Sequence, residues 1–366
     1  MKNKYFIWGT GKLAERMNLC YANELNKNDI VGYIDNDKKR QGEFFWGKKI
    51  FSPEILLKER ECRVAIGTFA IKEIKKQIKR DYPWLSDNVE GIEFYRKLQV
   101  LNRYRNSTNE EIQEIVRYLE DRTLEVFNYD FVNKYFEHEI RVFTDGSNGL
   151  YYVMHCGKRM YFSRDYKSED EVKKYYQSIC LEQDKMSPHR YLTNEFNVGE
   201  GTVIIDAGVA EGNFSLEVVE RAKNIYLFEP DENWVEALQY TFAPYKDKIK
   251  IINKCVSNYV DDMTTTIDNE VVEKVDLIKM DIEGEEYYAL EGAQKVMAMS
   301  ENIKCLICTY HQEFAHQIIS NYLSERGFQI ETSKGYMWYP SEQSIYRNPV
   351  LRRGLVRAER RKVNEE

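Results

Sequence analysis

The chain has 366 residues, 43% hydrophobic and 31% charged, enough apolar mass for about two globular domains and too much for a disordered segment. Its 53 basic against 60 acidic residues give a net charge of -7, which argues against a general polyanion coat and leaves no expected nucleic-acid partner. The first 100 residues carry 20 basic against 14 acidic side chains and the remainder 33 against 46, so a basic front precedes an acidic body. No stretch approaches the roughly 18 apolar residues of a spanning helix, and MKNKYFIWGTGK has too short an apolar run for a signal peptide. Seven scattered cysteines suit free thiols in a reducing compartment, so a cytoplasmic protein without a membrane span is expected.

In chain order, Tyr5–Trp8 reads as a buried parallel strand that meets Gly9-Thr10-Gly11-Lys12-Leu13-Ala14, a G-x-G-x-x-A turn. A helix over 13–25 and a strand Ile30–Ile34 follow, and Asp35 lies 21 residues past Ala14, where a Rossmann unit places its ribose-binding acid. Glycines let the backbone approach a phosphate, and the helix start supplies unpaired N–H groups. A strand Cys62–Ile66 ends on Gly67, before a helix with Ile71, Ile74 and Ile78 on one face and basic residues around it. The candidate ligand residues of this block are Gly9, Gly11, Lys12, Asp35 and Gly67.

Through the opening turn, VGYIDND, GKKIFSPEIL and AIG before the basic helix, about residues 3–90 resemble the nucleotide-sugar-binding domain of PglD-like sugar acyltransferases. That resemblance implies a site for a nucleotide-linked sugar, with catalysis located elsewhere in the chain. The same turn leaves open an NAD(P)-dependent sugar oxidoreductase or a non-catalytic nucleotide-ligand binder, although no Tyr-x-x-x-Lys occurs in residues 1–100.

A connecting region over 98–164 is expected to hold a helix with Ile112, Ile115, Val116 and Leu119 on one face, then a hairpin around Gly157-Lys158. This divides the chain into domains 1–97, 98–164 and 165–366.

The strongest signals begin at Val203-Ile204-Ile205, a strand leading into Asp206-Ala207-Gly208-Val209-Ala210-Glu211-Gly212-Asn213. The next strand ends on Glu229-Pro230-Asp231, where a carboxylate can accept both ribose hydroxyls. A third leads to Cys255-Val256-Ser257, a fourth (275–280) to Asp281-Ile282-Glu283, and a fifth (304–310) to His311. In an open α/β sheet these strand ends share one rim. Phe328–Thr332 and Gly335–Tyr339 are expected to close the sheet as a hairpin, giving the α/β, Rossmann-like, seven-stranded sheet of a class I methyltransferase behind a smaller Rossmann-like domain. The arginine-rich tail from Arg352 is expected to be a phosphate clamp or an exposed terminal helix.

EQDKMSPHRYL, VIIDAGVAEGNFSLEVVE, IYLFEPDENWVEAL, KMDIEGEEYYALEGA, ICTYH and RRGLVRA together make about residues 165–357 resemble an FkbM-type methyltransferase. The resemblance implies S-adenosylmethionine as cofactor and O-methylation of a small-molecule or glycan acceptor, which could be a nucleotide-sugar. It places Asp206, Gly208, Gly212 and Glu229 on the cofactor, with Ala210, Asn213, Pro230, Val256 and Ser257 beside them. In-line transfer needs an oxygen held close and its proton removed. His311 is the expected base and Asp281 and Glu283 the positioning acids, while His189 and Arg190 are candidate substrate contacts. Cys305 and Cys308, three apart on a strand, should face opposite sides, which argues against zinc. Asp281, Glu283 and His311 could form an acidic Mg²⁺ site, but no metal is assigned, and homo-oligomerisation is left open.

Overall fold

A computed structural model of the chain describes residues 4–26, 30–91, 93–135, 139–340 and 350–361. They fall into two compact units, the first containing Lys4–Tyr129 and the second Asp130–Pro340 and Leu351–Arg361. No helix among the described residues is long and apolar enough to cross a membrane.

The first unit runs β1 (Tyr5–Trp8), α1 (Lys12–Asn26), β2 (Ile30–Ile34), β3 (Phe44–Phe45), β4 (Lys48–Phe51), β5 (Arg63–Ile66), α2 (Ile71–Asp81), β6 (Val89–Glu90), α3 (Glu93–Tyr104) and α4 (Glu110–Asp121). Its sheet has the order β3-β4-β2-β1-β5-β6, parallel except at β3–β4. The strand β1 is apolar throughout because both faces are covered. Tyr5 and Ile7 pack with Met17 of α1 and Phe94 and Leu98 of α3, while Phe6 and Trp8 pack with Ile74 and Ile78 of α2. Helix α4 starts where Asn109 Oδ1 accepts the Glu111 and Ile112 N–H groups. One charge cluster is buried here. Glu90 accepts from Lys97 Nζ at 3.0 Å and Tyr5 Oη at 2.9 Å, and lies 3.0 Å from Arg63 Nη2.

The second unit opens with an antiparallel sheet of β7 (Phe143–Thr144), β8 (Tyr151–His155) and β9 (Lys158–Tyr161). The expected hairpin forms, its turn made by Cys156 and Gly157 with φ of 49° and 78°, the pairing that suits strand twist. Helix α5 (Glu169–Glu182), capped by Ser168, leads into the main sheet. The order is then β10 (Thr202–Ala207), α6 (Asn213–Val218), β11 (Ala222–Phe228), α7 (Glu232–Thr241), β12 (Ile249–Ile252), β13 (Cys255–Val256), β14 (Thr264–Thr265), α8 (Ile267–Glu270) and β15 (Leu277–Met280). It closes with α9 (Glu286–Glu291), α10 (Gln294–Met299), β16 (Ile303–Cys308), α11 (Ala315–Ser324), β17 (Gln329–Thr332), β18 (Met337–Trp338), β19 (Leu351–Arg352) and β20 (Leu355–Arg360).

Seven strands form one sheet in the order β12-β11-β10-β15-β16-β20-β17, with β20 antiparallel to both neighbours. This is the class I methyltransferase arrangement. Alternation sorts its core into two layers. Val203, Ile205, Ile278, Met280, Cys305 and Ile307 face one side, and Ile204, Leu277, Leu306 and Cys308 the other.

Two expectations are corrected here. Residues 335–339 do not form a hairpin with β17, because Met337–Trp338 pair with Leu351–Arg352. The antiparallel strand is instead the arginine-rich tail, so that tail is neither a phosphate clamp nor a terminal helix. Arg357 is buried, donating to the carbonyls of Tyr191 and Arg190 and pairing with Glu331 at 3.0 Å.

Candidate functional site

The sheet order reverses at β10, whose neighbours β11 and β15 leave in opposite directions, so a crevice opens at the carboxyl ends of these strands. A cavity of about 540 Å³ lies there, and every residue lining it falls between Tyr175 and Tyr310. The chain leaves β10 through Gly208-Val209-Ala210-Glu211-Gly212, with φ of 75° at Gly208, 46° at Ala210 and 82° at Gly212. A Cβ on Gly208 would lie 1.8 Å from the Asp281 carbonyl oxygen. Only glycine therefore lets the turn after β10 touch the turn after β15.

Glu229, one residue past β11, accepts the Ala210 N–H on Oε2 at 2.8 Å and the Asp231 N–H on Oε1 at 2.9 Å. Burial raises its pKa, against the pull of those two N–H groups. Each oxygen keeps a second acceptor site, and the carboxylate lines the cavity with Gly208, Ala210, Asn213, Pro230 and Val256.

Asp206, Gly212 and Ser257 are not on the wall. Asp206 is buried behind the turn, 2.9 Å from Lys279 Nζ and accepting from Ser215 Oγ at 2.7 Å, while Lys279 donates to the Gly208 carbonyl at 2.6 Å. Burial opposes the charge of Lys279, but Asp206 and Asp281 outweigh it and raise its pKa. Gly212 packs under Leu238 and Phe242, and Ser257 donates its N–H to Thr265.

The opposite wall carries Asp281, Glu283 and Tyr310. Asp281 accepts from Tyr191 Oη at 2.8 Å and Tyr310 Oη at 3.1 Å, with His189 Nε2 3.4 Å and His311 Nε2 3.5 Å away. Burial disfavours its ionisation, but His189, Lys279 and His311 prevail and hold the carboxyl well below the usual range. His311 is buried just behind this wall, Nδ1 at 3.0 Å from Glu286 Oε1 and Nε2 at 3.6 Å from Glu283 Oε2. Burial works against a charged ring, yet Glu286, Asp281 and Glu283 together raise its pKa. Glu286 also accepts the Ile282 N–H at 3.1 Å.

The structure thus gathers Asp281, Glu283, His311 and His189 within one contact network. Arg190 is turned away from it, its guanidinium donating to the carbonyls of Leu192 and Gln183 at 2.8 and 2.6 Å. Cys305 and Cys308 lie in opposite core layers and cannot chelate one ion together. Among the described residues, Asp281 joins two groups with metal-ligand spacing, one with His189 and Cys308 and one with Glu286 and His311.

Sequence reasoning missed several wall residues. Glu211 lines the cavity while only 5% exposed, accepts from Tyr175 Oη at 2.9 Å, and is pushed by burial up to about 7. Seven carboxylates line the cavity against two lysines, Lys254 and the already paired Lys279, so the wall favours a cation.

In the first unit, Gly9 has φ 118° and donates to the Ile34 carbonyl, Gly11 is open, Lys12 is exposed, and a Cβ on Gly67 would lie 2.9 Å from Ile7. Asp35 Oδ2 accepts both the N–H and the hydroxyl of Thr10, and Oδ1 accepts the Asp37 N–H. Arg40 closes over the turn, donating to the Thr10 carbonyl and hydroxyl at 2.5 and 2.7 Å.

Comparison with known proteins divides along the chain. Residues 253–330 match the family described as Methyltransferase FkbM domain, and residues 1–82 match C2185-like, N-terminal, so the front match is to a family other than the PglD-like one expected. No curated protein matches. Among solved structures the chain is similar to methyltransferase FkbM from Methylobacillus flagellatus KT, with 15% identity, TM-score 0.41, and 98% of this chain and 90% of that one covered. It is also similar to SMU.1697c from Streptococcus mutans in complex with SAH, with 16% identity, TM-score 0.32, and 44% and 90% covered. A third is an rRNA methylase from Streptococcus thermophilus, with 18% identity, TM-score 0.31, and 45% and 90% covered.

Proposed function

We propose that the second unit is an S-adenosylmethionine-dependent O-methyltransferase acting on a hydroxyl of a carbohydrate, nucleotide-sugar or glycan-related acceptor. The observation that carries the reading is Glu229, a carboxylate on the cavity wall with one unfilled acceptor site on each oxygen, facing a glycine turn that no side chain could replace. That pair of acceptors suits the two ribose hydroxyls of the cofactor, and Val256 flanks the same wall for the adenine. The cofactor, when bound, supplies a methyl group on a sulfonium, and the acidic wall complements that positive charge.

The acceptor hydroxyl meets the Asp281–Glu283–His311 rim, which orients it and takes up its proton as the new C–O bond forms. The match to an FkbM domain supports methyl transfer, and the glycan-type acceptor is what the motif resemblance implies. Trp234 and Tyr175 add ring faces beside the carboxylates, a mixture suited to a polyhydroxylated ring. The first unit is proposed to bind a nucleotide-linked ligand at Gly9–Lys12. An NAD site there is less well supported, because Asp35 Oδ2 already has both lone pairs filled by Thr10.

Titration calorimetry of the whole chain tests the reading. S-adenosylmethionine should bind at one site, and Glu229→Ala should weaken it by tenfold or more, as expected for lost hydrogen bonds to a charged acceptor. A chain that ignores S-adenosylmethionine but binds NAD would overturn it.

A further inference from the structure

Asp281, His311 and Glu283 stand together on the acceptor side of the cavity, and their surroundings suit them to different parts in a proton transfer. Asp281 is fully engaged. Its Oδ1 accepts from Tyr310 Oη at 3.1 Å and lies 3.5 Å from His311 Nε2. Its Oδ2 accepts from Tyr191 Oη at 2.8 Å and lies 3.4 Å from His189 Nε2. Burial opposes its charge, yet His189, Lys279 and His311 hold the carboxyl well below the usual carboxylate range, which makes it a poor proton acceptor. His311 is 8% exposed and, unlike Asp281 and Glu283, does not line the cavity. Its Nδ1 lies 3.0 Å from Glu286 Oε1, and its Nε2 faces Asp281 and Glu283. Burial works against a charged ring, but these three carboxylates favour the imidazolium, which has no lone pair to offer.

Glu283 is arranged in the opposite sense. It lines the cavity with its side chain 80% exposed. Oε2 accepts from Tyr339 Oη at 2.9 Å and lies 3.6 Å from His311 Nε2, while Oε1 meets no hydrogen-bond donor among the described residues. The residue sits at φ 57°, a left-handed conformation that is uncommon outside glycine and that functional sites retain. The next residue fixes the turn: Gly284, at φ 103°, accepts from Gln312 Nε2 at 2.9 Å, and a Cβ on it would lie 2.8 Å from that nitrogen.

We propose that Glu283 is the catalytic base, its Oε1 taking the proton of the acceptor hydroxyl while Tyr339 and His311 act as positioning residues on Oε2. The assignment rests on the methyltransferase reading and reverses the roles expected from the sequence, where His311 was the base and Glu283 a positioning acid. The acceptor oxygen forms its bond to the methyl carbon at the expense of the C–S bond, whose electron pair stays on sulfur. Glu283 Oε1 receives the O–H proton and becomes a carboxylic acid. The developing C–O bond makes that proton strongly acidic, so a carboxylate is basic enough to take it. Exposure of the side chain then lets the proton pass to water and restores the carboxylate. Asp281 stays an anion throughout, holding Tyr191, Tyr310 and the two histidines in place.

The test supplies the full chain and its Glu283→Gln, Glu283→Ala and His311→Ala variants with S-adenosylmethionine and the methyl pyranosides of glucose, galactose, mannose and rhamnose. Release of S-adenosylhomocysteine is followed, and calorimetry measures S-adenosylmethionine binding to each chain. Glu283→Gln should lower kcat by about 100-fold or more, the usual contribution of a general base, with cofactor affinity within about twofold of wild type. Added formate should restore part of the lost kcat in Glu283→Ala, which a merely structural residue would not allow. His311→Ala should lose less, and added imidazole should not restore it. A kcat for Glu283→Gln within about threefold of wild type overturns the assignment, as does imidazole rescue of His311→Ala without formate rescue of Glu283→Ala. A loss carried by the acceptor KM and not by kcat makes Glu283 a binding residue and overturns it too. In each of these outcomes the methyltransferase reading stands. If wild type binds S-adenosylmethionine but methylates none of the glycosides, the pyranoside acceptor fails and the base assignment falls with it; if it does not bind the cofactor, the methyltransferase reading itself fails.

Discussion

Glu211 sits in the turn after β10 with its carboxyl against Tyr175 Oη, and burial pushes its pKa from 4.5 up to about 7. Between those two values the folded chain holds a proton that the unfolded chain has released. Stability therefore falls as pH rises from about 4.5 to about 7 and levels off above it. Glu211→Gln keeps an acceptor for Tyr175 but cannot ionise, so it should flatten this slope by about 3 kcal/mol at most. Denaturant midpoints of both proteins between pH 4.5 and 8 would measure the difference, and parallel curves would contradict the assignment. Glu229 and Gly208 were legible in the sequence because a strand end followed by an acid or a glycine has few structural meanings in an α/β sheet. Glu211 was not, because position in a turn does not say which way a side chain points. Tyr191 and Tyr310 were missed for another reason. They reach Asp281 from segments 90 and 29 residues away, a meeting that only the tertiary fold creates.

At the scale of elements, runs such as VIID and IYLF announced themselves as buried parallel strands, since a strand covered on both faces has no polar alternation to disguise it. The strand β20 did not, because Arg357 and Arg360 break its apolar pattern. The weaker clue was Leu355-Val356 followed by Ala358, small and apolar enough for a strand between β16 and β17. Arg357 fits there because its guanidinium is satisfied by the Tyr191 and Arg190 carbonyls and by Glu331, while burial lowers its pKa. These bonds tie β20 to the 187–192 segment that presents His189 and Tyr191 to Asp281. Arg357→Ala leaves two buried carbonyls short of a donor and should destabilise the second unit by about 3 kcal/mol. It should also weaken acceptor use more than cofactor binding, since Glu229 lies on other elements. Thermal melts combined with separate KM values for cofactor and acceptor would show this split; equal effects on both would argue against the tie.

For the molecule as a whole, the charge imbalance visible at the outset acquires a location. The acidic body concentrates carboxylates around one cavity, and the cavity draws all of its lining from the second unit. The first unit has its own apolar layers on either side of its own sheet. It also has its own buried charge cluster, in which Lys97 and Glu90 are each only 1% exposed at their side chains. Burial lowers the pKa of Lys97, against the pull of Glu90. Lys97→Met removes the cation but leaves Glu90 with Arg63 and the Tyr5 hydroxyl. Losing one partner of a buried pair costs about 3 kcal/mol, softened here by the partners that remain. The loss should fall on the first unit, where Glu90 joins the last strand of the sheet to α3. In differential scanning calorimetry the transition assigned to that unit should move down by several degrees. S-adenosylmethionine affinity at a temperature below the transition should stay within twofold of wild type. A large fall in affinity there would mean that the cavity depends on the first unit in a way its lining does not reveal.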